Sequence, residues 1–141
     1  MLDEKNIQLA IDVSQALPEA KIDIQFNFWE ELNEKLASKN YKMFYLDDYS
    51  YTQSMVEKFH QSGRKPRHYG LLIEMHDLGD SNILLFYILL NWSLYYGFSV
   101  YQREENDWVN AEEEKFDHLF DIIKTIDNDF TRTSNSIGWK D

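Results

Sequence analysis

Apolar residues recur along this chain with two different periods, and the alternation between them predicts an α+β fold. From Tyr69 the period is two: Tyr69, Leu71, Ile73 and Met75 interleave with Gly70, Leu72, Glu74 and His76, and residues 77–82 read as a turn. Leu94, Tyr96, Phe98 and Val100 alternate again. Between these two segments Ile83 to Trp92 is apolar on both faces, which fits either a central strand or a buried helix. Its place between two strand signals, with Asn91-Trp92-Ser93 as a tight connection, favours the strand. Tyr41 to Tyr45 adds a short aromatic strand.

The other segments carry the helical period. Asp3 can cap a first helix with Ile7, Ala10, Ile11 and Leu17 on one side, and Pro18 is expected to end it by removing a backbone donor and restricting Leu17. Asn27 and Glu30 form a capping box ahead of Phe28, Trp29, Leu32 and Leu36, and Ser50 with Gln53 forms another ahead of Tyr51, Met55 and Phe59, in a helix that should stop near Gly63. Asn110 and Glu113 open the strongest helical segment, with Phe116, Leu119, Phe120, Ile123 and Ile126 as its stripe. The expectation is an antiparallel β meander of strands at about 41–45, 69–76, 83–92 and 94–101, with helices at about 4–17, 27–38, 51–61 and 111–127 packed on it. Residues 1–18 read as an N-terminal helical appendage and 22–141 as one α+β domain. Ile137-Gly138-Trp139 reads as the opening of a further packed element, the pattern of a fragment of a longer chain.

Composition narrows the function. A chain of 141 residues with 43% hydrophobic and 16% aromatic content can bury its own core, and it contains no cysteine, which excludes disulfides, thiolate metal sites and a cysteine nucleophile. The start lacks the basic and apolar regions of a secretory signal. The longest apolar run, Ile83 to Leu90, falls short of the roughly 18 residues of a membrane span, so a cytoplasmic protein without membrane contact is expected. The net charge is -11, and residues 1–50 and 102–141 hold 10 and 11 of the 25 acids, while the middle of the chain balances 4 acids with 4 bases. Nucleic-acid binding is disfavoured, because phosphate contacts need clustered Lys and Arg.

Candidate chemistry is sparse. Of the four histidines, at 60, 68, 76 and 118, no pair has the spacing of a zinc-hydrolase helix, and the best metal candidates are Glu74, His76, Asp77 and Asp80 at a strand end. A solvated strand end with an acidic turn is the favoured reading of these residues. Asp117 and Asp121 beside Glu113 read as a solvated helix face, and there is no nucleophile elbow, phosphate loop or dinucleotide fingerprint, so no catalytic residue and no cofactor are expected. Gly63-Arg64-Lys65-Pro66-Arg67 is a local basic loop, and Arg64, Lys65 and Arg67 are its candidate anion or nucleic-acid contacts. Among the aromatic residues, Tyr95, Tyr101 and Trp108 fall off the inward alternation or in a loop, and are the candidates for an exposed partner-binding patch.

Phe28-Trp29-Glu30-Glu31-Leu32, Tyr69-Gly70-Leu71, Leu94-Tyr95-Tyr96-Gly97-Phe98 and the late Gly138-Trp139 together resemble the C-terminal accessory region of bacterial proteins of the PD-(D/E)XK nuclease superfamily, over about residues 22–140. The resemblance implies that any nuclease activity lies in an upstream domain, and no acid-x-lysine pair follows Glu74 on its strand to carry that chemistry here. It implies an accessory or protein-interaction domain, associated with a nuclease-like domain or a defence or mobile-element protein. The alternatives are an acidic nucleic-acid mimic acting as an immunity or anti-defence inhibitor and, less favoured, a divalent-metal nuclease using Glu74, Asp77 and Asp80.

Overall fold

A computed structural model describes residues 4–61, 68–91 and 93–141. Its elements run α1 (Glu4–Ser38), β1 (Lys42–Phe44), α2 (Gln53–Gln61), β2 (Tyr69–Gly79), β3 (Asn82–Leu90), β4 (Leu94–Gln102), β5 (Asp107–Trp108), a 3-10 turn (Glu114–Phe116), α3 (Asp117–Ile126) and β6 (Gly138–Lys140). The α+β class and the meander expected from the alternation are what the chain forms. The strands make one antiparallel sheet in the order β1-β2-β3-β4-β5, with β6 also paired to β4. The apolar segment from Ile83 to Leu90 lies in strand β3, and it is apolar on both faces because that strand is central. Gly79, Asp80 and Ser81 all take positive φ in the tight turn that leads into it.

The two helices expected at 4–17 and 27–38 are a single one. Pro18 does not end it. An internal proline costs a helix roughly 3 kcal/mol through one lost hydrogen bond and a clash with the preceding turn. Glu19, Ala20 and Lys21 are good helix formers, and the carbonyl stranded by Pro18, that of Ser14, lies in a stretch whose described side chains are all exposed, where water can satisfy it. The helix is then anchored downstream by Ile22 and Trp29. Asn27 and Glu30 are consequently interior to α1 rather than a cap, and Glu30 instead accepts a 2.5 Å hydrogen bond from the Tyr51 hydroxyl.

Two other expected caps are also replaced. Thr52, not Ser50, caps α2 through the Met55 amide (3.0 Å), while Ser50 Oγ accepts from the Leu46 amide (2.9 Å) and fixes the loop before it. Asn110 accepts from the Glu112 amide in a turn, and the helix expected from 111 begins only at Asp117 after the 3-10 turn. Ile126, expected in the apolar stripe, is 68% exposed at the end of α3. The helix stop near Gly63, the cap at Asp3 and the position of Trp92 lie outside the described residues.

Strand register sorts the side chains between two faces. Tyr69, Leu71, Ile88 and Leu90 share one face with Met43, and α1 and α2 cover them with Ile22, Trp29, Val56 and Phe59. Tyr96, Phe98 and Val100 continue that face, where α3 and the segments around it supply Phe116, Ile123, Phe130 and Ile137. The three helices of the described residues therefore lie on one side. The opposite face carries Leu72, Ile83, Leu85, Tyr87, Leu89 and Tyr101, and only short segments cover it, through Phe44, Leu46, Tyr49, Trp108 and Trp139. No helix among the described residues is long and apolar enough to cross a membrane.

Candidate functional site

Because no helix of the described residues lies on that second face, its aromatic residues surround an open cleft of about 960 Å³ instead of a sealed core. One wall is a continuous arc of rings. Trp108, delivered by the short strand β5, meets Tyr49 edge-on at 5.2 Å; Tyr49 stacks on His68 at 4.7 Å; His68 meets Tyr95 at 6.4 Å; and Tyr95 meets Tyr87 at 5.9 Å. Tyr49 reaches this position because the 46–50 turn is closed by Ser50 N–H to Leu46 O (2.8 Å) and tied to β2 by Gly70 N–H to Tyr49 O (2.8 Å). A side chain at position 70 would run into the Ile88 carbonyl, so glycine is required there.

The other wall is polar. The Tyr87 hydroxyl lies 2.7 Å from Ser136 Oγ, Ser136 Oγ lies 3.2 Å from Ser99 Oγ, and Ser99 donates to the Asn135 carbonyl at 2.7 Å. The loop that brings Ser136 here is held by Ile137 N–H to Phe98 O (2.8 Å) and by the Thr131–Trp139 bridge. Gly97 makes the approach of Tyr87 and β6 feasible, since a Cβ there would fall 2.3 Å from the Gly138 carbonyl and 2.7 Å from the Tyr87 hydroxyl. Trp139 then lines the cleft, whereas its neighbour Lys140 belongs to the helical face and is held by Asp127 at 2.5 Å. That hydrogen bond lowers the Asp127 carboxyl below its ordinary value and raises the Lys140 amine.

Burial, with a smaller contribution from the neighbouring Tyr87 and Tyr49, pushes the Tyr95 phenol up to about 12. Tyr87 is pushed up by burial too, partly offset by its bond to Ser136. Both phenols therefore stay protonated at neutral pH as hydrogen-bond donors. The lining holds one carboxylate, Asp141, the His68 imidazole and, among the described residues, no lysine or arginine. Such a surface can stack on rings and apolar groups and exchange hydrogen bonds at its hydroxyl wall.

Two of the three aromatic residues expected at an interface, Tyr95 and Trp108, line this cleft half-buried. Tyr101 does not. It is only 6% exposed, packed edge-on beneath Trp108 at 5.3 Å and against Phe44 at 5.4 Å. Its side of β4 is not a solvent face, because β5 and the segment after β1 cover it. The weak metal candidates do not converge either. Glu74 is paired with Arg103 (2.7 Å) and Lys42 (3.2 Å), Asp77 accepts from the Gly79 amide, Asp80 sits in the tight turn, and His76 and Asp77 are exposed along β2. No group of three His, Asp or Glu among the described residues is placed to hold a metal ion. Arg64, Lys65 and Arg67 lie outside the described residues.

Sequence reasoning did not single out Tyr49, His68, Tyr87, Ser99 or Ser136 for this wall. The usable signal was the strand register itself, which puts Tyr87, Tyr95, Gly97 and Ser99 on one face once β3 is read as central. Comparison with protein-family models, with curated proteins and with solved structures gave no match.

Proposed function

We propose that the chain is a non-catalytic protein-interaction domain, and that the aromatic cleft on the helix-free face of its sheet receives a segment of the partner protein. The observation that carries this reading is the unbroken arc of Trp108, Tyr49, His68, Tyr95 and Tyr87 around an open cleft. Rigid aromatic anchors facing a few fixed hydroxyls are the usual make-up of a binding hot spot. The mutually bonded Tyr87, Ser136 and Ser99 hydroxyls support binding over catalysis, since each is engaged in a hydrogen bond within the wall. With Asp141 as the single carboxylate and no lysine or arginine among the described lining residues, the preferred segment is neutral or basic and bears an aromatic or aliphatic anchor. The resemblance described above makes a nuclease-like domain, or another component of a bacterial defence or mobile-element protein in the cytoplasm, the expected source of that segment.

The test is selection of displayed random peptides on the full chain, followed by titration of the selected peptides. Truncating one such anchor is expected to weaken binding by about 2 kcal/mol, close to thirtyfold, in Trp108→Ala and in Tyr95→Ala, with Trp108→Phe recovering most of the loss. Failure to enrich any peptide, or equal affinity for wild type and the double alanine variant, would sink the reading. Calorimetry with manganese and magnesium separates it from a metal nuclease.

A further inference from the structure

Over residues 4–21 every described side chain of α1 is exposed, and Ile22 is the first buried one. The helix docks through Ile22, Trp29 and Leu36, which recur every seven residues on one side. A different side carries Leu9, Val13, Leu17, Ile24 and Phe28, exposed between 44% (Phe28) and 67% (Ile24), with Ala16 and Ala20 set among them. At about 100° per residue this stripe lies across the helix from the docked side, so it faces away from the rest of the domain along its whole length. A run of apolar side chains this long and this exposed is a docking surface without an occupant in the monomer.

The order of residues in the stripe identifies the occupant. Reversing the helix about the point between Ala16 and Leu17 superposes most of the stripe on itself in three layers, with Leu9 opposite Ile24, Val13 opposite Ala20 and Ala16 opposite Leu17, while Phe28 falls outside them, opposite Lys5. Two of these three layers set a large side chain against an alanine, the arrangement that lets two helices approach closely. An isologous two-fold contact requires this self-complementarity, in which residue i meets j and j meets i. Five half-exposed or more exposed apolar side chains and the alanines offer on the order of 600 Å² per copy, so two copies reach about 1,200 Å², the lower bound for a specific interface. Pro18 sits roughly 140° round the helix from the centre of the stripe and leaves the seam unobstructed.

We propose that the chain forms an antiparallel two-fold dimer through residues 5–28 of α1, the occupant of the stripe being a second copy of the same chain. The dimer leaves the cleft open and does not depend on what the cleft binds. Asp12, Glu19 and Asp23 line one flank of the stripe, and an antiparallel pair sets that flank against itself, so acids of the two copies meet at the seam.

Sedimentation equilibrium of the full chain tests this. The expected species has twice the 16.9 kDa monomer mass, and Leu17→Glu reduces it to monomer while leaving the circular dichroism spectrum and the melting temperature of the α+β domain unchanged. Orientation is read by oxidation of single-cysteine variants, the native chain having no cysteine. Leu17→Cys, next to the two-fold axis, cross-links; Leu9→Cys, whose two copies are separated by 15 helical residues or roughly 22 Å, does not. A wild-type chain that stays monomeric up to its solubility limit overturns the proposal and leaves the stripe to another protein. So does a dimer that survives Leu17→Glu, or cross-linking of Leu9→Cys as readily as of Leu17→Cys, which is the parallel pattern.

Discussion

Tyr95 and Tyr87 stand ring to ring in the cleft, and both phenols are held protonated mainly by burial. Tyr69 and Tyr101 are raised in the same way, and Tyr51 is raised by burial and then by its bond to Glu30. The folded chain therefore keeps phenol protons that the unfolded chain releases at the ordinary value of 10. Stability tied to these groups is fully present below pH 10 and is lost as pH climbs towards the folded value, about 12 for Tyr95. Denaturant midpoints measured across this range should fall with rising pH, and phenolate absorbance should show a late-titrating class that shrinks in Tyr95→Phe. A single phenolate transition at the ordinary value, with a constant midpoint, would contradict the burial described here. At this scale the sequence revealed that Tyr95 lies off the helix-packed alternation and that Trp108 is available. It did not reveal Tyr49, whose place depends on Ser50 closing a turn and on Gly70 admitting it, both long-range consequences of register.

Among the elements, the sheet was legible and the helix ends were not. A two-residue period survives tertiary context because slipping it by one position turns every apolar side chain outward. Helix ends depend on single hydrogen bonds of about 1 kcal/mol, and α1 shows how tertiary anchoring overrides them. The sequence predicts a stop at Pro18, yet the residue lies in a projecting stretch whose helix is continued by the packing of Ile22 and Trp29. Replacing it should restore one backbone hydrogen bond and remove a local penalty of up to about 3 kcal/mol. In the Leu17→Glu background, where self-association does not enter, Pro18→Ala is expected to raise helical ellipticity and to slow amide exchange around residue 18. The global denaturant midpoint should barely move, because none of the described side chains before Ile22 is buried. A large rise in that midpoint would mean that the first half of α1 belongs to the cooperative core.

For the whole molecule, charge separates the three ways in which this chain could engage another. The monomer carries -11, and the proposed dimer brings two such bodies together with Asp12, Glu19 and Asp23 of both copies along one edge of the seam. Added salt screens that repulsion over a Debye length of about 10 Å at 0.1 M, so the dimer should tighten as ionic strength rises. The cleft works differently. Its lining is aromatic and hydroxylic with a single carboxylate, so peptide affinity there should change little over the same range. A nucleic-acid mimic makes the opposite demand: carboxylates that imitate phosphates draw in a basic partner, and that binding weakens steeply with salt. Sedimentation and peptide titration at low, physiological and high salt therefore form one experiment with three distinct slopes. A dimer that dissociates as salt is added would mean that its seam is held by ion pairs rather than by Leu9, Val13, Leu17 and Ile24. A cleft affinity that collapses with salt would move the recognition surface from the rings to the acidic ends of the chain.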